Sequence, residues 1–306
     1  MTKLSRIFCA VDVSGPAQAA FGQALALSQA RDAKLTVVVA VPATEPFRMR
    51  VRKRTAEIAA LRCASEAAGV RMSVSVQHGE PVGIILNHAN SRGCDLIVLG
   101  THNRTGFERL RAGSVAEQVT RRAACPVLVV PLSPDRGNRP STGFFGNVMC
   151  PIDFSEVSTA ALEQALRIVD QTKGRLTLLH VLPNLDPMCR YAYHVSGPDY
   201  DPLLKRDAWQ RLQEWVPSEF RGVTNLRARV VSGAPAEQIA RLSREIDADL
   251  IVMGVTARGA IVRRLFGSTA VRVMRSAGRP VLAIPERLRR RAVVDAASDP
   301  VTRVAA

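Results

Sequence analysis

The 306-residue chain carries 42 Lys and Arg against 27 Asp and Glu, a net charge of +15, with 47% hydrophobic and 23% charged residues. That composition buries a core in each of two ordinary domains and excludes a disordered chain. Its apolar runs fall far short of the ~20 residues that span a membrane, and the N-terminal run is broken by Asp12 too early for a signal-peptide core, so a cytoplasmic protein with no membrane association is expected.

In chain order, short β-branched runs at Ile7–Val13, Leu35–Val41, Met72–Gln77, Leu96–Leu99 and Val127–Val130 predict five strands. Ala-rich segments of helical spacing separate them, among them Ala17–Ala30 and, near the end, Val115–Ala124. Strands alternating with helices demand parallel pairing with helical crossovers, hence a doubly wound α/β sheet. The Pro- and Gly-bearing stretch 133–145 reads as a linker.

The same order then repeats. Arg6-Ile-Phe-Cys-Ala-Val-Asp12-Val-Ser14 is echoed 141 residues on by Asn147-Val-Met-Cys-Pro-Ile-Asp153-Phe-Ser155. Asp95-Leu-Ile-Val-Leu-Gly100 is echoed 154 residues on by Asp249-Leu-Ile-Val-Met-Gly254, so 13 extra residues lie between the anchors of the second half. They fall after Val181, where Pro183 through Pro202 is rich in Pro, Tyr and Asp and reads as an inserted loop, a candidate lid or partner surface that includes His194. Gly79/Gly233, Gly113/Gly267 and Cys125-Pro126/Arg279-Pro280 keep the 154-residue offset, so the halves are collinear. The expected organisation is a first domain over 1–132, the linker, a second domain over 146–286 and a basic tail over 287–306.

Ligands of doubly wound sheets sit beyond the carboxyl ends of the strands. There the fourth strand ends in Gly100, and a cationic loop with Arg104, Arg109 and Arg111 leads to Gly113-Ser114 at the start of the next helix. A helix N-terminus offers free N–H groups and the positive end of its dipole to a phosphate. The second half repeats the spacing from Gly254 to Gly267-Ser268, with Arg258, Arg263 and Arg264 between. The same residues would also serve as plain turn glycines and a helix N-cap, and Asp12 and Asp153 as strand-end turns ahead of Ser14 and Ser155.

These residues resemble the universal stress protein family, whose loop runs Gly, two residues, Gly, nine residues, then Gly-Ser or Gly-Thr. Both halves look like complete copies of that domain, over about residues 4–131 and 145–286. The resemblance implies a tandem stress-response regulatory protein binding ATP or AMP, with or without Mg²⁺, whose domains pair through their last strands as an internal pseudo-dimer. A homodimer and a protein partner stay open. Carried across residue by residue, Asp12 and Asp153 face the adenine or ribose beside Ala10 and Pro151, and Ala40 and Val181 meet the base. The phosphates fall on Gly100, Asn103, Gly113, Ser114 and Val115 in one half, and on Gly254, Ala257, Gly267, Ser268 and Thr269 in the other.

Both halves depart from the family at the second glycine, which is Asn103 in one and Ala257 in the other. Asn tolerates a left-handed backbone better than Ala does, so the first half is expected to bind nucleotide at least as well as the second. No nucleophile, base and metal set stands out, and His102 has only Thr256 as its counterpart. Enzymatic activity is expected to be absent or limited to slow ATP hydrolysis. The six cysteines show no CxxC pair and are expected reduced and mostly buried. The positive charge is spread along the chain without interleaved aromatics, even around Arg287-Leu-Arg-Arg-Arg291, so nucleic-acid binding is not expected. The alternative function is a protein-interaction scaffold whose loops no longer hold nucleotide.

Overall fold

The computed structural model describes residues 4–11, 15–41, 47–101, 115–131, 144–182, 200–216, 225–256 and 268–286. The first half runs β1 (Arg6–Val11), α1 (Gly15–Arg31), β2 (Lys34–Val41), α2 (Phe47–Ala67), β3 (Met72–His78), α3 (Pro81–Ser91), β4 (Leu96–Thr101), α4 (Val115–Arg122), β5 (Val127–Pro131). The second runs β6 (Asn147–Pro151), α5 (Glu156–Thr172), β7 (Arg175–Leu182), α6 (Tyr200–Glu214), β8 (Leu226–Ser232), α7 (Pro235–Glu245), β9 (Leu250–Val255), α8 (Ser268–Ser276), β10 (Val281–Pro285). The inserted segment was expected to run through Pro202, but α6 already begins at Tyr200; Pro202 falls in its first turn, where a missing N–H goes unneeded.

The strands lie in one sheet, in the order β3-β2-β1-β4-β5-β10-β9-β6-β7-β8. Neighbours are parallel within each half, and β5 meets β10 antiparallel, with Val281 opposite Val129 and Ala283 opposite Val127. All five positions of each of these two strands are buried. So apolar a strand cannot stand at a solvent edge without inviting association, and the two satisfy each other. Each already has its parallel neighbour on the other side, so a second chain finds no open edge there.

Strand residues alternate between two faces. Ile7, Cys9 and Val11 join Ala20, Phe21, Ala24 and Leu27 of α1, and the same core continues into Leu162, Leu166 and Val169 of α5. Phe8, Ile97 and Leu99 face α3 and α4, and this second core continues into Ile239 of α7 and Val273 of α8. Both cores therefore cross the junction. At the amino ends of the strands, the Asp that precedes β4 or β9 acts as a clamp. Asp95 Oδ2 accepts from Ser5 N (2.9 Å), Ser5 Oγ (2.8 Å) and Arg6 N (2.8 Å), and Asp249 Oδ2 accepts from Gly146 N (3.1 Å) and Asn147 N (3.0 Å).

A polar tie reinforces the seam. Glu117 of α4 accepts from Arg121 Nη2 (2.7 Å) and from Arg275 Nη2 of α8 (2.8 Å), two arginines that occupy equivalent positions in the repeat. Glu117 is 12% exposed but Arg275 is 52% exposed, so solvent screens the pair and about 1 kcal/mol is a fair size for it. Glu117→Gln is expected to lower the thermal midpoint by about 2–4 °C. An unchanged midpoint would show that the tie contributes nothing.

A polar contact of a buried histidine sets the halves apart. His88 of α3 is buried, its Nδ1 lies 3.0 Å from Gln77 Nε2, and its Nε2 finds no partner among the described residues. The equivalent residues in the second half are Leu242 and Val231. Burial, and then the nearby Arg92 charge, hold the His88 pKa below the ordinary value of 6.5. The folded state thus takes up the proton less readily than the unfolded chain, so stability present above pH 6.5 is lost as pH falls through the folded pKa. Chemical denaturation between pH 7 and 5 should show this loss in the natural chain and a flatter profile in His88→Leu.

Candidate functional site

In each half the order of strands reverses beside the first strand: β1 lies between β2 and β4, and β6 between β7 and β9. A crevice forms at the carboxyl ends where such neighbours part. The strands are buried along their length and become half-buried at this end, at Ala10, Ala40 and Gly100 in one half and at Pro151, Val181 and Gly254 in the other. Ala10 is level with Val38, two residues before Ala40; Pro151 is level with Leu179, so Val181 stands level with Asp153. These residues thus share one rim in each half.

The ladders beside these two points differ in length. β1 pairs with β4 through Ala10 and Leu99, whereas β6 pairs with β9 only through Met149 and Ile251. Ile152 N donates to Leu179 O (2.8 Å) on the β7 side, so the alternation of peptide directions turns the nitrogen of Pro151 toward β9. Proline has no hydrogen to give there, and the ladder ends two residues sooner.

Asp153 lies two residues beyond β6, outside the strand that the sequence ends on it. Its Oδ1 accepts from Ser155 N (3.0 Å) and Ser155 Oγ (2.5 Å), and Ser155 in turn caps α5 by accepting from Ser158 N (3.2 Å). The strand-end turn ahead of Ser155 is therefore real and holds the carboxylate in place. Burial pushes the Asp153 pKa up, but the hydrogen bonds from Ser155 and Ser158 outweigh it and hold the carboxyl below its ordinary range. It stays anionic near neutral pH.

Next to Asp153 in sequence, the second half builds an aromatic wall that the sequence did not flag. Phe154, at φ 61, has a backbone conformation rare for a bulky residue. Its ring lies 4.7 Å from that of His180 and 5.2 Å from that of Trp215, with the Arg211 guanidinium 4.5 Å over it. His180 Nδ1 donates to Ile152 O (2.7 Å), which fixes the imidazole as a structural prop. The equivalents of Phe154 and His180 in the first half are Val13 and Val39, so comparing the halves for aromatics would have found the wall.

Gly254 has a second task. A Cβ there would stand 2.4 Å from Val157 Cγ1 and 2.6 Å from Val157 O, so the glycine lets the first turn of α5 close against the end of β9. After β4 and β9, α4 begins at Val115, which is exposed, and α8 begins at Ser268, with Thr269 half-buried. Asp12, His102, Asn103, Gly113, Ser114, Ala257 and Gly267 lie outside the described residues, as do the linker residues 133–143, the inserted residues 183–199 and the tail 287–306. Among the described residues no helix is long and apolar enough to cross a membrane, and no three His, Cys, Asp or Glu side chains gather as metal ligands.

A sequence model of the Universal stress protein family matches this chain twice, over residues 3–131 and 145–285. The chain belongs to the universal stress protein family. It is 27% identical to a universal stress protein of Mycobacterium tuberculosis over 234 residues, 73% of either chain. It is also 27% identical to one from Methanocaldococcus jannaschii over 146 residues, 48% of this chain and 85% of the relative. A solved universal stress protein from Archaeoglobus fulgidus shares the fold at a TM-score of 0.67 and 21% identity, over 94% of this chain and all of its own. This is a tandem universal stress protein, with both copies of the domain in one sheet.

Because Gly254 ties α5 to β9, Gly254→Ala is expected to cost on the order of 2 kcal/mol by overpacking and to displace the turn that holds Asp153. A thermal midpoint equal to that of the natural protein would contradict the close approach.

Proposed function

We propose that this universal stress protein is a regulatory protein that binds ATP or AMP, with or without Mg²⁺, in the crevice of each half. One observation supports this most: at both switch points small half-buried residues rim a parting of strands, and in the second half an anionic carboxylate is fixed at the rim by the cap of α5. A carboxylate so placed accepts hydrogen bonds from ribose hydroxyls. Pro151 and Val181 offer an apolar surface for the base, and Ala10 and Ala40 do so beside Asp12. The phosphates run to the starts of α4 and α8, on Gly100, Asn103, Gly113, Ser114 and Val115, and on Gly254, Ala257, Gly267, Ser268 and Thr269. Helix N-termini there supply N–H groups and dipole.

The two sites are unequal in opposite senses. Asn103 favours the first half on the phosphate side, where Ala257 costs the second about 1 kcal/mol if the family's backbone is kept. On the base side the earlier parting at Pro151 and the Phe154 wall favour the second half.

Calorimetric titration of ATP and AMP into the full chain tests the reading. Binding is expected, with Asp12→Ala and Asp153→Ala each weakening one site by about tenfold, and with Ala257→Gly tightening the second site by roughly fivefold. If the natural chain binds neither nucleotide at millimolar concentration, the reading fails and the interaction scaffold takes its place.

A further inference from the structure

The register of β5 against β10 sets Leu128 opposite Leu282, and the two are equivalents in the repeat, so the axis that relates the halves passes between them. Over that point, on the face covered by α1 and α5, the sheet and the two helices leave a small cavity. Its lining keeps the symmetry, pairing Leu128 with Leu282 and Leu27 of α1 with its equivalent Ile168 of α5. One pair breaks it. Arg31, in the last turn of α1, lines the cavity where α5 brings Thr172. The end of a helix favours a cation, but among the described residues no carboxylate reaches this one. Arg31 Nη1 donates to the neutral Oε1 of Gln171 across the seam, and Arg31 Nε is buried with no acceptor among the described residues. The acidic side chains nearest in sequence are engaged elsewhere, Asp32 with Arg71 (3.6 Å) and Asp170 with Lys173 (3.1 Å). Thr172 Oγ1 directs its hydrogen to Phe145 O and Ile168 O (3.0 Å each), so it offers none to the cavity. A buried donor of a charged group is costly to leave unmatched, and the Nε edge of a guanidinium presents two N–H groups at the spacing of a carboxylate.

We propose that this cavity binds a short-chain monocarboxylate of the size of acetate or propionate, its oxygens on the Nε edge of Arg31 and its alkyl end against Leu128 and Leu282. Size decides the class. The cavity measures about 20 Å³, and a single water takes about 10–15 Å³ on that measure. It therefore admits a methyl or ethyl group and no longer chain. Its apolar walls favour such a group over a hydrated inorganic anion, and one guanidinium balances one carboxylate charge. Two arginines at the equivalent positions would have repelled each other across the axis; with Thr172 in one of them the site carries a single positive charge. A ligand held there touches both halves at their shared axis, so it favours the joined sheet by mass action.

The test follows the methyl-labelled full chain by NMR while sodium propionate replaces sodium chloride at equal ionic strength. The methyl signals of Leu128 and Leu282 are expected to shift with a Kd on the order of millimolar, and an excess of about tenfold over Kd to raise the thermal midpoint by about 2–3 °C. The methyl shifts are expected to vanish in Arg31→Gln and to need several-fold more propionate in Arg31→Lys, which keeps the charge and loses the paired N–H groups. Hexanoate, too long for the cavity, is expected to bind more weakly than propionate. The proposal is overturned if propionate leaves those methyls unmoved, if it moves them equally in Arg31→Gln, or if hexanoate binds better. Should Arg31→Gln fail to fold, Arg31→Lys and the comparison of chain lengths decide.

Discussion

The antiparallel pairing of β5 with β10 is the contact on which the rest of this molecule depends. Each strand is buried at every position, and unpaired it would be an apolar edge open to association. Joined, the two make a ten-stranded sheet from two five-stranded ones and let both hydrophobic cores run unbroken across the seam. The geometry has a functional consequence. Strands are parallel within a half and antiparallel across the junction, so the carboxyl ends of the two halves, and with them the two crevices, lie at opposite ends of the sheet. Ligands held at these two ends would not touch.

Duplicated segments that do the same structural job have come to do it with different chemistry. The turn before β9 is held by the Arg279–Asp247 ion pair, where the turn before β4 has Gly93 and Cys125 at the equivalent positions. The helix that packs against β2 carries a buried histidine where its copy carries leucine. Two equivalent arginines converge on one glutamate whose own counterpart is Val271. At the crevice, Ala10 keeps a ladder that Pro151 cannot, and Val13 is replaced by an aromatic that packs tilted against a histidine absent from the first half. None of these exchanges alters the order of strands. The scaffold tolerates them because its cohesion comes from burial spread over the sheet and not from any one polar contact.

Much of this was legible in the sequence, for reasons that can be named. β5 and β10 read as continuous apolar runs, and burial on both faces leaves such strands no other pattern. The resemblance of the loops to a family whose domains join by their last strands pointed to the pairing. The strand-end glycines were legible as turns, but not the close approach of α5 that Gly254 permits, because that depends on where a helix distant in sequence comes down. Asp95 and Asp249 stood in plain view as the first residues of a repeated motif, and their task at the opposite end of the sheet from the crevice was invisible. It needs the register of β1 against β4. Asp153 was legible as a residue at the strand end. That its carboxylate is anchored by the residue that caps the next helix follows only from the turn at Phe154.

Hydrogen exchange of the full chain, read amide by amide over Val127–Pro131 and Val281–Pro285, tests the junction most directly. In an edge strand only alternate amides are bonded, and the others exchange quickly. With β5 and β10 paired, both sets of amides in each strand should exchange slowly, at the rate set by opening of the whole sheet. Fast exchange at alternate residues of both strands would mean that the halves stand apart, and the account of a single sheet would be wrong.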